Sequence, residues 1–227
     1  MNKKHLGLSL LIVLACTSGS AFAQVEQVTS MTVSNPAALI ANVDYYRASG
    51  NRTAQSVTML SHLHDGVDPS THTIVAIYED LETLESEMDK RATSDDWSVF
   101  RQANSSVATV NSSALAIQRQ TWGKTSWEEG DYLAAVIVNT GEPKPWIAAV
   151  DKMMGSLELK NPGMFRIVRL RGAPGNHAVL ITASSYAGLI NNMEQLEAST
   201  EFETMRGATT VSVVDSTIYR VSKVWKP

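Results

Sequence analysis

The chain repeats itself. Displaced by 105 positions, the segment HTIVAIYEDLETLESEMDKRATSDDWSVFR from His72 aligns with HAVLITASSYAGLINNMEQLEASTEFETMR from His177. Five positions coincide, His72/His177, Leu84/Leu189, Met88/Met193, Ser94/Ser199 and Arg101/Arg206, and others match in type, as in Val75/Leu180, Trp97/Phe202 and Phe100/Met205. Each copy reads as an apolar strand followed by a helix whose apolar residues recur at helical spacing. A supersecondary unit present twice requires a fold assembled from two copies, which discards most architectures at once.

The unit extends in both directions. Val28 to Val33 and Tyr132 to Asn139 read as first strands, each leading into a helix that opens on proline: Pro36 with Leu39, Val43 and Tyr46, and Pro145 with Ile147, Val150 and Met154. Second strands follow at Ser56 to His64 and Met164 to Arg171, closed by the turn sequences DGVDPST and GAPGN. Fourth strands end near Trp122 and Trp225, with the register there slipped by two residues relative to the rest. Each half therefore reads β-α-β-β-α-β, the split βαβ unit of ferredoxin-like folds. The expected class is α+β: one repeat over 24–122, a linker GKTSWEEGD over 123–131, and a second repeat over 132–227. Such a sheet carries helices on one face only, so two copies should pack sheet to sheet as an α/β barrel with a cavity between the sheets.

Residues 1–23 read as a secretory signal, with Lys3 and Lys4 ahead of an apolar run from Leu6 to Ala15 and an Ala21-Phe22-Ala23 cleavage site. The expected location is periplasmic or secreted. The alternative is a lipoprotein anchored through Cys16, because Val13-Leu14-Ala15-Cys16 resembles a lipobox, although Leu14 stands where a smaller residue is usual. Either cut leaves no transmembrane helix. Cleavage after Ala23 removes the single cysteine, leaving 204 residues with seventeen basic and twenty-three acidic side chains, a formal charge of −6. That balance disfavours nucleic acid and anionic membrane surfaces as partners. Without cysteine, neither disulfides nor a thiolate zinc site can hold the fold, and core packing must.

In element order, apolar pattern and duplication, nearly all of the chain beyond residue 23 resembles the dimeric α/β-barrel superfamily in tandem form, with no diagnostic short motif. The resemblance implies several activities: cofactor-free monooxygenases of the antibiotic-biosynthesis type, haem-degrading enzymes, haem proteins such as chlorite dismutase-like chains, and stress proteins. Fold alone does not choose among them.

The candidate chemistry is sparse. His62 and His64, two apart near the end of a strand, fall on one face, where they could share a metal ion or divide haem ligation from hydrogen bonding, with Asp65 orienting a ring. Without a third ligand in reach the pair is half a metal site, and exposed polar residues at a strand end explain it equally. No metal is assigned. Arg169 and Arg171 lie near the equivalent place in the second repeat, so imidazoles on one side and guanidinium groups on the other could serve an anionic ligand. His72 and His177 are repeat-equivalent and read as structural. Trp146, Tyr45 and Tyr78 are candidate pocket residues for a planar molecule. G-x-S-x-G is absent, and Gly123-Lys124-Thr125 lacks the glycine a phosphate loop needs at Gln118.

The expectation is an exported protein that binds a small apolar or planar molecule between its sheets. As an enzyme it would be a cofactor-independent monooxygenase, needing no cofactor and using His62 or His64 as base. The alternatives are haem binding in the same fold and a non-enzymatic binding or interaction module, and a homodimer is compatible with each.

Overall fold

The computed structural model describes residues 24–65, 68–161 and 163–226; the expected signal segment and Cys16 lie outside the described residues. The first repeat comprises β1 (Val25–Val33), α1 (Pro36–Ala48), β2 (Ser56–His64), β3 (His72–Tyr78), α2 (Leu81–Thr93), α3 (Asp95–Ser105) and β4 (Ala108–Gly123). The second comprises β5 (Tyr132–Thr140), α4 (Pro143–Ser156), β6 (Met164–Arg171), β7 (His177–Ala183), α5 (Tyr186–Glu197), α6 (Thr200–Ala208) and β8 (Val211–Trp225). The expected second helix of each repeat is in fact two, broken where Ser94 and Ser199 start a new helix. Each of these serines accepts a hydrogen bond from the backbone N–H three residues on, at Trp97 and Phe202. The identity at 94/199 is thus an N-cap kept in both copies. The preceding helices are capped in the same way by Asp80 and Ser185.

All eight strands join one closed antiparallel barrel in the order β1-β3-β2-β8-β5-β7-β6-β4. Closure depends on the two long strands. β4 pairs with β1 along its first part and with β6 along its second, while β8 does the same with β5 and β2. Each repeat's fourth strand therefore completes its own sheet and then stitches it to the other repeat. Val28 sits between Val75 and Ala114, and Ala135 between Leu180 and Thr217, so the fourth-strand slip of two residues is real.

Apolar side chains project into the barrel. Leu60, Val75, Ala116, Leu133, Met164, Val168, Leu180 and Val221 form a buried cluster inside it. One mouth is closed by the linker. At Gly123 the chain turns with φ 74°, and a Cβ there would meet the Gly163 carbonyl oxygen at 2.1 Å, so only glycine lets the two backbones meet. The linker then drops Trp127 into the mouth, where the ring is buried and its Nε1 donates to Thr58 Oγ1 at 2.8 Å. Beside it, the ion pair between Glu26 of β1 and Arg166 of β6 crosses the two repeats, with both side chains almost fully buried. Burial raises the Glu26 carboxyl above its ordinary value despite the pull of Arg166.

Candidate functional site

Between the sheets, where a ligand cavity is expected, lies the apolar cluster around Leu60, Val75 and Val168, and a pocket of about 490 Å³ lies on the outer face of the first repeat, between sheet and helices. Its floor is β1 and β3 (Gln27, Thr29, Met31, Ile74, Ala76), and α1, α2 and α3 roof it. None of the α3 residues is buried, and the apolar side of that helix, Trp97 and Phe100, faces the pocket.

Three aromatic rings form one wall. Trp97 and Phe100 stack with centroids 5.1 Å apart, and Tyr46 of α1 meets them at 5.1 and 5.2 Å. Such a wall offers flat apolar contact with few rotamers to freeze. The Arg91 guanidinium lies over the Trp97 ring, 4.4 Å from its centroid.

A polar network backs the pocket. The buried Glu87 carboxylate accepts from the backbone N–H groups of Thr53 at 2.8 Å and Ala54 at 3.0 Å, and its other oxygen pairs with Arg91 one turn along α2. Arg91 also donates to Gln27 Oε1 and to the Tyr78 hydroxyl, each at 3.2 Å. Burial pushes the Tyr78 phenol well above its ordinary value, so it stays protonated. Burial also raises Tyr46 and, with Arg52 alongside, pulls the Arg47 guanidinium down to about 10.

The second repeat has the same elements without the polar network. Where the first has Gln27, Tyr46, Arg47, Tyr78 and Arg91, the second has Ala134, Met153, Met154, Ala183 and Leu196, and its helix layer is closed by an apolar cluster around Trp146, Phe165 and Leu189. Glu87 is matched by fully buried Asn192, which holds the backbone of Asn161 through both its amide atoms. The shared role of this position is to pin a loop, and only the first repeat adds charge to it.

The residues singled out from sequence do not converge. His62 points into the barrel, its Nε2 bonded to Thr73 Oγ1 at 2.8 Å, its Nδ1 3.4 Å from Asp65, and its ring edge-on to Tyr219. Burial lowers its pKa, and neither cavity described here reaches it. His64 is exposed, since a bulge between His62 and His64 breaks the alternation that would share a face, and it meets only the Tyr186 hydroxyl. Arg169 and Arg171 are not placed opposite His62; by strand pairing its counterpart is Leu170, and the two arginines sit on the other face of β6. Trp146 is core, packed against His177. Tyr45 is exposed, bonded to Asp96. Of the candidates only Tyr78 is tied to the pocket, through Arg91. Gln27, Glu87 and Arg91 form no motif, and Tyr46 and Trp97 read as apolar helix positions; for Gln27, Tyr46 and Arg91 the signal is the loss of polarity at Ala134, Met153 and Leu196.

A smaller pocket of about 340 Å³ at the plugged mouth is lined by Gln24, Gln55, Trp127 and Arg166. Among the described residues no three histidine, cysteine, aspartate or glutamate side chains gather as a metal site, and no helix is long and apolar enough to cross a membrane.

No protein-family model matches the sequence, and no curated protein matches it. Solved structures do. A candidate monooxygenase from Fusobacterium nucleatum superposes with a TM-score of 0.59 at 13% identity, covering 90% of this chain and 95% of that one. An anthrone oxidase-like protein gives 0.55 at 14% identity over 90% and 93%. A variant of chlorite dismutase from Candidatus Nitrospira defluvii gives 0.55 at 8% identity over 88% and 91%. At such identities the likeness establishes the fold: two ferredoxin-like repeats closed as the α/β barrel shared by monooxygenase-like and chlorite dismutase-like chains.

Proposed function

We propose that this is an exported protein that binds a small planar apolar molecule in the pocket of its first repeat. The observation that carries the reading is a wall of stacked Trp97 and Phe100, with Tyr46 edge-on to Trp97, over a polar network that the second repeat lacks. Monooxygenase chemistry, suggested by the names of two structural neighbours, would consist here of desolvating and orienting an electron-rich substrate that supplies electrons to dioxygen itself. The pocket favours binding over proton transfer. No histidine lines it, and its one carboxylate, Glu87, is committed to two backbone donors and Arg91.

The pocket lining supplies neither imidazole nor thiolate to iron, and a haem reading there would rest on Tyr46 or Met31 as ligand. The test is calorimetric titration of the protein without residues 1–23 with a naphthalene series, followed by oxygen uptake with each compound that binds. Saturable binding lost in Trp97→Ala supports the reading, and oxygen consumption adds the enzyme. Absence of binding across the series refutes it. Hemin binding that survives Trp97→Ala with a sharp Soret band would replace the reading with haem carriage elsewhere.

A further inference from the structure

The walls of this pocket carry an imbalance of charge. Four of the chain's ten arginines, Arg47, Arg52, Arg91 and Arg101, line it, against the single carboxylate Glu87, in a protein whose formal net charge is −4. Three of the lining residues also hold buried polar atoms with no hydrogen-bond partner: Tyr46 at its hydroxyl, Arg47 at Nη1 and Arg91 at Nε. The Arg91 charge is near enough to act on the Tyr46 phenol, yet no bond of ordinary geometry joins them. All three can donate. Buried donors are almost always satisfied; these three are sealed beneath the pocket wall, and an acceptor in the pocket would satisfy them once their side chains turn toward it.

Burial, with Arg52 alongside, draws Arg47 down to about 10, although its Nη2 donates to the Lys226 carbonyl. Arg91 differs: burial alone would lower it, but Tyr78 and Glu87 outweigh that and keep it charged. An anion in the pocket would relieve Arg47 and complete Arg91 without displacing Glu87.

We propose, building on the binding reading above, that the ligand is an organic monoanion: a flat apolar body against Trp97 and Phe100, with a carboxylate directed to Arg47, Tyr46 and Arg91. A carboxylate suits the donors better than a phenol. It is ionised at neutral pH without help, which matters where no base is free, and its two oxygens accept from guanidinium forks that a single phenol oxygen cannot span.

The experiment is calorimetric titration with 2-naphthoate, 2-naphthamide and 2-naphthol, which share one ring system and differ in head group. The naphthoate should bind at least about tenfold more tightly than the amide, the scale expected of a hydrogen bond to a charged group. Its preference should fall by about the same factor in Arg47→Gln and in Tyr46→Phe, with circular dichroism showing both variants folded. Equal affinity for naphthoate and amide overturns anion selection and leaves planar binding standing. Preference for 2-naphthol overturns the carboxylate and assigns a phenol. Failure of all three to bind removes both this inference and the function it rests on.

Discussion

Replacing Glu87 by alanine tests whether this carboxylate holds the pocket together. The side chain is 1% exposed and accepts from Thr53 N, Ala54 N and Thr53 Oγ1 while pairing with Arg91, itself 16% exposed. Each buried donor left without an acceptor costs about 1–3 kcal/mol, and a buried pair broken on one side about 3–5 kcal/mol. These costs do not add in full, because Arg91 can move toward water and the loop at 51–54 can relax. The expected loss is about 4 kcal/mol for Glu87→Ala and roughly half that for Glu87→Gln, which keeps one acceptor oxygen. Urea unfolding at neutral pH reads it as a lower midpoint at unchanged slope. Amide exchange at Thr53 and Ala54 should accelerate in the alanine variant beyond the global loss. A cost below about 1 kcal/mol, or unchanged exchange at those two amides, would refute the argument.

Other consequences follow from the same geometry. Leu189→Ala, at a fully buried position, should cost roughly 2–5 kcal/mol, and Leu84→Ala, its repeat counterpart, a value in the same range; near-neutral results at both would contradict the duplicated core. Trp127→Ala should destabilise by about 3–5 kcal/mol and admit water to the barrel mouth, seen as faster exchange in β1 and β2. His64→Ala should leave ligand affinity unchanged, because the residue lies on the surface against Tyr186; lost binding would move the site to the barrel end. Burial lowers the pKa of His62, His72 and His177, so the unfolded chain binds more protons than the folded one as pH falls below about 6.5. Their contribution to stability is complete above that value and is lost on acidification toward the depressed folded values. The pH 5 to 7.5 slope of the urea midpoint should therefore be positive, and flatter in His62→Gln; an unchanged slope would show that His62 is not buried neutral.

The architecture was legible because it rests on pattern. Apolar alternation, prolines at the starts of α1 and α4, and the cap serines at 94 and 199 each act locally, and a duplicated chain displays them twice. The site was not legible, for reasons that differ by residue. His62 and His64 share a face only if the strand is regular, and the bulge between them is set by pairing with β8, more than a hundred residues away. The linker looked like a spacer because nothing local indicates that Trp127 fills a barrel formed by strands from both halves. Glu87 and Arg91 read as an ordinary helix-surface pair at i and i+4; the loop at 51–54 covers Glu87 and the Trp97 ring of α3 covers Arg91. Trp146 has the chemistry of a pocket wall, but the apolar layer that encloses it comes from three helices and a sheet.

The central claim is that the ligand sits outside the barrel, between the first repeat's sheet and its helices. A crystal structure of the protein grown with 2-naphthoate tests it most directly. The account predicts ring density against Trp97 and Phe100, a carboxylate within hydrogen-bond distance of Arg47 and Arg91, and a second repeat closed around Trp146 as before. Density inside the barrel, at the Trp127 mouth or beside His62 and His64 would contradict it.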